Sequence, residues 1–298
     1  MKYNGVGKNC ANCTISMRRG WGYASLFTRH VFNMMLKKED ISIIQKIAEL
    51  YDRDLILKGN LTYDDFLCYA YKELIKIYRN EYVYKNTLLN AILKKYKKDD
   101  TVAFSEFAVG NSIADMVLFN GTSKVFEIKT ELDSPYRLSS QLADYQKIFS
   151  ECYLVIPESQ KKKYSSLYPK VGLILLECKR GRISLCKEKS AEINTEIDPS
   201  ALIRSLRTKE YKNLVESYFG ALPTMNAFNS FEICESMMKL IPSEELHKLF
   251  VKIMKERKSN FSSLYNYSKP IRQMCLSLHI SENEYVKLQS CLSKELYC

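Results

Sequence analysis

Apolar residues recur every three or four positions in "SLFTRHVFNMMLKK" and "DISIIQKIAELYDRD", the spacing of amphipathic helices, so the first part of the chain predicts a helical layer. The same spacing runs through "LTYDDFLCYAYKELIKIYRNEYVYKNTLLNAILKKYKK", which predicts two helices between Leu61 and Lys98 with Thr62 or Asp64 as a cap. From Thr101 the texture changes to three short β-rich runs, "TVAFSEFAVG", "SIADMVLFNG" and "SKVFEIKT", punctuated by Gly-Asn and Asn-Gly. Both residues of Asn120-Gly121 accept positive φ, which makes that pair a hairpin signal and the three runs an antiparallel meander. "SPYRLSSQLADYQKIFS" then reads as a helix, "ECYLVIP" as a buried strand, "SQKKKYSSLYP" as a basic helix or loop, and "VGLILLE" and "RISLCKE" as strands. Beyond about Glu192 helical spacing returns, with Ser243 and Glu245, and Ser281 and Glu284, marking two helix starts. The expected organisation is a helical layer over 1–74, a mixed α/β (α+β) core over 75–190 and a helical region over 191–298.

With 46% hydrophobic and 12% aromatic residues against 10 Gly and 7 Pro, the chain has the means to bury a core nearly throughout, and disorder is not its default. No run approaches the ~20 apolar residues of a membrane span, and no signal-peptide pattern opens the chain, which favours the cytoplasm and no membrane partner. The ten cysteines are scattered, several of them inside apolar runs, and read as reduced buried thiols. Cys10 and Cys13 in "KNCANC" have metal-ligand spacing, but one such pair supplies half of a tetrahedral thiolate site, and free thiols are the preferred reading.

The formal charge is +11, and it is concentrated at one end. Residues 1–100 hold 18 Lys/Arg against 11 Asp/Glu, 101–190 hold 13 against 10, and 191–298 hold 14 against 13. A basic first third fits a nucleic-acid partner, because Lys and Arg gain affinity by displacing phosphate counterions. Lysines and tyrosines interleaved from Tyr69 to Tyr96 suit a groove that combines phosphate contacts with stacking, although such a pattern more often marks one packed and one solvated helix face. The nearly neutral last third fits packing, or a protein partner held by the C-terminal helices. His247 and His279 lie in apolar helical patterns and read as satisfied core or surface residues.

Asp115, Glu127 and Lys129 stand in strands that otherwise read as sheet core, where charge persists only if it is paired or bound to a metal. Because side chains alternate along a strand, Glu127 and Lys129 share a face and Ile128 points away. An acid on one strand followed by Glu-x-Lys on the next, with Glu81 on the preceding helix and Gln141 and Tyr145 spaced as Gln-x-x-x-Tyr on the following one, resembles the PD-(D/E)XK nuclease superfamily. A group of uncharacterised bacterial nuclease-like proteins within it shares the look of "EIKTELDS". The resemblance covers about residues 75–180 and implies a restriction-endonuclease-like αβββαβ core with helical additions at both ends.

It further implies a Mg²⁺- or Mn²⁺-dependent phosphodiesterase, a DNA endo- or exonuclease, acting on DNA rather than RNA. Asp115, Glu127 and the Ile128 carbonyl would be metal ligands, with Glu81 as a further ligand, directly or through water. Lys129 would orient or deprotonate the attacking water or stabilise the transition state, Gln141 would contact a metal-bound water or the phosphate, and Tyr145 would buttress Gln141. Glu106 and Glu131 read as peripheral charges. The alternative from another class is a binding module that positions nucleic acid or a protein without turnover.

Overall fold

A computed structural model describes residues 7–297, with side chains from Ser16 onward, so the side chains of Cys10, Cys13 and Cys298 lie outside the described residues. Two compact units divide the chain. One comprises Met1–Asn90, Cys178–Ser184 and Ser263–Cys298, and the other Ala91–Glu177 and Leu185–Ser262.

The first unit contains α1 (Gly7–Leu26), α2 (Arg29–Lys38), α3 (Ser42–Ile56), α4 (Tyr63–Ile77), most of α5 (Glu81–Lys95), α12 (Arg272–Ser277) and α13 (Glu282–Leu292). Thr62, not Asp64, caps α4. Its hydroxyl accepts the Asp65 N–H at 3.1 Å, and the Asp65 carboxylate accepts the Thr62 N–H at 3.1 Å. Ser281 and Glu284 form the same reciprocal box at the start of α13. Thr62→Ala is expected to cost about 1 kcal/mol, read as a lower midpoint in urea, because it leaves orphan donors on the first turn of α4.

Asn86 is fully buried on α5 and satisfied at both ends. Its Nδ2 donates to the Lys269 carbonyl at 3.0 Å and its Oδ1 accepts the Gln273 N–H at 3.1 Å. Tyr71, Tyr82 and Tyr84 are buried too, so these members of the interleaved Tyr/Lys stretch form a packed face and no groove.

The second unit is built on a sheet whose strands lie in chain order, β1 (Val102–Val109), β2 (Ser112–Phe119), β3 (Ser123–Ile128), β4 (Glu151–Pro157), β5 (Gly172–Lys179) and β6 (Arg182–Lys189). The first three pair antiparallel, and β3–β4 and β4–β5 pair parallel. Parallel pairing requires a crossover, and α6 (Leu138–Tyr145) provides the one between β3 and β4. Gly110 and Gly121, at φ 58° and 85°, occupy the left-handed positions of the two hairpin turns that Gly-Asn and Asn-Gly announce.

One face of the sheet buries Val117, Phe119, Val125 and Leu154 in a core shared with Leu138, Leu142 and Tyr145 of α6 and with the C-terminal helices. Those helices are α8 (Pro199–Ser205), α9 (Thr208–Phe219), α10 (Ser230–Met238) and α11 (Ser243–Glu256), and Phe250 of α11 meets the Phe119 ring edge-on at 5.2 Å. α6 is shorter than the apolar spacing predicts, because 3₁₀-type bonds such as Ile148 N–H to the Tyr145 carbonyl (3.1 Å) end it. α7 (Lys161–Tyr164) is a single turn within the basic stretch.

Ser243 does not cap α11. Pro242 precedes the helix, and the Ser243 hydroxyl accepts the Ile197 N–H at 2.6 Å. His247 Nε2 lies 2.9 Å from the Ser123 hydroxyl, a satisfied interior contact. Among the described residues no helix is long and apolar enough to cross a membrane.

Candidate functional site

The β2–β3 ladder ends at the pair Met116 and Phe126, and one step further the register sets Asp115 opposite Glu127. Here the ladder is completed by a side chain, the Ile128 N–H donating to Asp115 Oδ2 at 2.7 Å. On the other side of β2, Glu106 of β1 stands opposite Asp115 with φ 57°, a left-handed backbone that a non-glycine residue adopts at a cost of about 1–2 kcal/mol. Ser105 next to it donates its hydroxyl to the Asp115 carbonyl at 3.3 Å.

The distortion resets the alternation of both strands. Phe104 and Phe107, and likewise Ala114 and Val117, enter one core although each pair is three residues apart. The irregularity thus lies directly beside the acidic pair.

Glu127 is 2% exposed. Its Oε1 accepts from Lys129 Nζ at 2.8 Å, and its Oε2 lies 2.8 Å from the Tyr145 hydroxyl, which is also 3.0 Å from the Ile113 carbonyl. Lys129 Nζ donates a second bond to Gln141 Oε1 at 3.1 Å. Burial, and then the neighbouring Asp115, push the Glu127 carboxyl above the usual carboxylate range, with Lys129 and Tyr145 opposing the rise. Burial and the Glu127 charge push the Tyr145 phenol far above its ordinary value, so it remains a protonated donor to the carboxylate.

Five of the six residues singled out from the sequence therefore meet in one network: Asp115, Glu127, Lys129, Gln141 and Tyr145. Tyr145 reaches Glu127 and not only the neighbouring helix position. Glu81 belongs to the other unit, in the first turn of α5, and is paired with Lys85 at 2.5 Å. Glu106 and Glu131 are exposed.

No cluster of three or more His, Cys, Asp or Glu side chains suited to a metal occurs among the described residues. The donor set gathered here is two carboxylates, Asp115 and Glu127, with the Ile128 carbonyl between Glu127 and Lys129. That is the hard-oxygen set by which Mg²⁺ is commonly held, one or two carboxylates with water and substrate phosphate completing its shell. Burial raises Glu127 first and repulsion by Asp115 second, and a divalent cation would relieve the repulsion, so the residues fit such an ion.

An open cleft of about 840 Å³ reaches this network at Lys129 and Gln141, while Glu127 and Tyr145 stay buried behind them. Lys129 and Gln141 line it together with Ile113, Ser140, Tyr136 and Arg137. The last two were not legible as site residues, since a single exposed Tyr-Arg pair between Pro135 and a helix carries no periodic or motif signal.

A family model described as bacteriophage P4 protein cII matches residues 76–278, more than half of the chain. The protein cII of Enterobacteria phage P4 is 23% identical over 137 residues, which are 45% of this chain and 52% of that protein. The chain thus spans about half the length of this curated relative. A solved structure of a protein of unknown function from Silicibacter pomeroyi aligns with 48% of this chain and 93% of that one, at 12% identity and a TM-score of 0.32.

Proposed function

The chain belongs to the bacteriophage P4 protein cII family, and for this member we propose a metal-dependent nuclease that hydrolyses phosphodiester bonds, with DNA favoured over RNA by the resemblance to PD-(D/E)XK enzymes. The observation that carries the reading is the convergence of Asp115, Glu127 and Lys129, with Glu127 buried and anchored from both sides and Lys129 lining an open cleft. Purely structural charge seldom takes this form, because burying a carboxylate costs several kcal/mol unless its partners are built around it.

Asp115, Glu127 and the Ile128 carbonyl would hold Mg²⁺ or Mn²⁺, which when bound polarises a phosphoryl oxygen and acidifies a water. Tyr145 fixes the plane of the Glu127 carboxylate. Gln141 and Glu127 aim Lys129 Nζ, whose charge then serves the extra negative charge that develops on the phosphate oxygens. In the hydrolysis a water oxygen forms the new bond to phosphorus, the bond to the leaving sugar oxygen breaks, and a proton derived from that water ends on the leaving oxygen.

A binder without turnover is the second reading, and one observation favours it. Both Glu127 oxygens and one Asp115 oxygen already have partners within the protein. Two measurements separate the readings. Mg²⁺ or Mn²⁺ is expected to raise the melting temperature of the wild type, by the equivalent of about 2.7 kcal/mol at a hundredfold excess over Kd, and to leave Asp115→Ala unmoved. Incubation in Mn²⁺ with plasmid, linear duplex, single-stranded DNA and RNA is expected to give cleavage of at least one. Equal melting shifts for both proteins, or binding without cleavage of any substrate, would count against the nuclease.

A further inference from the structure

The segment between β3 and α6 is ordered by its own side chains. The Thr130 N–H donates to Asp133 Oδ2 at 2.6 Å, the Leu132 N–H to the Thr130 hydroxyl at 3.2 Å and the Tyr136 N–H to the Ser134 hydroxyl at 3.3 Å. At the end of this braced turn Tyr136 is 91% exposed, and the next residue, Arg137, is exposed at the start of α6. Both line the cleft that Lys129 and Gln141 floor, as does Ile113, itself 61% exposed.

Exposure of one aromatic ring is unremarkable, since Phe228 is 96% exposed elsewhere in the same unit. What sets Tyr136 apart is the company of Lys129 and Arg137 in one cleft, whose two carboxylates are already engaged, Asp133 by the Thr130 N–H and Asp144 by Ser112 and Lys147, and a backbone already fixed before anything binds, which lowers the entropic cost of using it. A cleft in which Lys129 at the floor and Arg137 at the rim flank an exposed aromatic ring carries the two elements of single-strand recognition, phosphate contact and base stacking. A base paired inside a duplex offers its face to neither residue, because both faces are covered by adjacent base pairs.

We infer that the cleft seats an unpaired nucleotide, its phosphate at Lys129 and Arg137 and its base on the ring of Tyr136 with Ile113 as further apolar lining, so that single-stranded or frayed nucleic acid is the preferred substrate. This deepens the nuclease reading and rests on it. Stacking is shared by DNA and RNA, so both serve as probes.

The test is fluorescence anisotropy of the full chain in EDTA with a labelled 12-nucleotide single-stranded DNA, the same sequence as RNA, and the matching DNA duplex. The wild type should prefer the single strands. Tyr136→Ala should weaken single-strand binding about 5- to 150-fold, the range for one lost base stack, and barely change duplex binding. Tyr136→Phe should retain the affinity. Arg137→Ala should weaken single-strand binding and reduce the dependence of log K on log salt by about 0.7.

Equal wild-type affinity for single strand and duplex overturns the inference, as does unchanged single-strand binding by Tyr136→Ala of wild-type melting temperature. Parallel incubation in Mn²⁺ separates the two levels. Cleavage of duplex and single strand at equal rates, undiminished in Tyr136→Ala, overturns the nucleotide seat and leaves the nuclease standing. Tyr136-dependent binding with no cleavage supports the seat and removes the nuclease.

Discussion

Lys129→Ala is expected to lower phosphodiester cleavage by about 10²–10⁴-fold while leaving the protein folded and able to bind metal. The ammonium is held between Glu127 Oε1 at 2.8 Å and Gln141 Oε1 at 3.1 Å, with only 12% of the side chain exposed, so neither water nor another cation occupies its place without rearrangement. Its removal takes a positive charge from the transition state and makes the Asp115 and Glu127 pair, if anything, more attractive to a divalent ion. Single-turnover rates at saturating protein read the effect directly, because they exclude binding and product release. Lys129→Met keeps the length of the side chain and guards against a trivial loss of packing. Wild-type rates in both variants would remove Lys129 from the chemistry, whatever cuts the substrate.

A large stability effect is expected at a pair far from the cleft in sequence. Arg257 Nε and Nη2 donate to the two oxygens of Glu210 at 2.7 and 2.5 Å, the Arg207 N–H donates to the same carboxylate at 2.7 Å, and the guanidinium lies over the Phe107 ring at 5.3 Å. Glu210→Ala leaves that guanidinium without its counter-charge against aromatic rings, and should cost about 2–3 kcal/mol, toward the lower side of the range for buried pairs because both side chains retain some exposure. In a unit of this size that lowers the melting temperature by roughly 4–12 °C. The double variant Glu210→Leu with Arg257→Met should lose less than Glu210→Ala alone, since it removes both charges together.

The same pair governs part of the acid sensitivity. Burial alone would raise the Glu210 carboxyl, but the bonds from Arg257 and from the Arg207 N–H outweigh it and hold the group below its ordinary value of 4.5. The unfolded chain therefore takes up this proton at a higher pH than the folded one does. The stabilisation is fully present above about pH 4.5 and is lost as the pH falls from there through the depressed folded value. Melting curves from pH 7 to pH 3 should be flatter for Glu210→Gln than for wild type, and superimposable slopes would deny the linkage.

Much of this architecture is legible in one dimension. Local signals fix it where the determinants are local: Gly110 and Gly121 open the hairpin turns, the runs between them are too short and too rich in branched and aromatic residues for helix, and Thr62 and Ser281 start their helices. The acidic pair was legible because each acid interrupts a run that should be apolar, and Lys129 because a strand returns every second residue to the same face.

What escaped is what depends on partners distant in the chain or on broken periodicity. The bond from Tyr145 to Glu127 spans 18 residues and the bond from Ser243 to Ile197 spans 46. The left-handed turn of the backbone at Glu106 has no glycine to announce it. The pair of Glu210 and Arg257 spans 47 residues.

The register of β1, β2 and β3 carries one more consequence, for how this family can lengthen or shorten. Asp115 faces Glu127 only because two residues, Gly110 and Asn111, close the first hairpin and three, Asn120 to Thr122, close the second. A one-residue slip of β2 against β3 would present Ala114 or Met116 to Glu127 in place of the carboxylate, and would turn Val117 out of the core at the same time. Substitutions at the exposed turn residues Gly110, Asn111 and Gly121 that preserve the positive φ should be absorbed, whereas a single inserted or deleted residue should silence the site without touching any of its side chains. The length of two short surface loops is thus under tighter constraint than their composition.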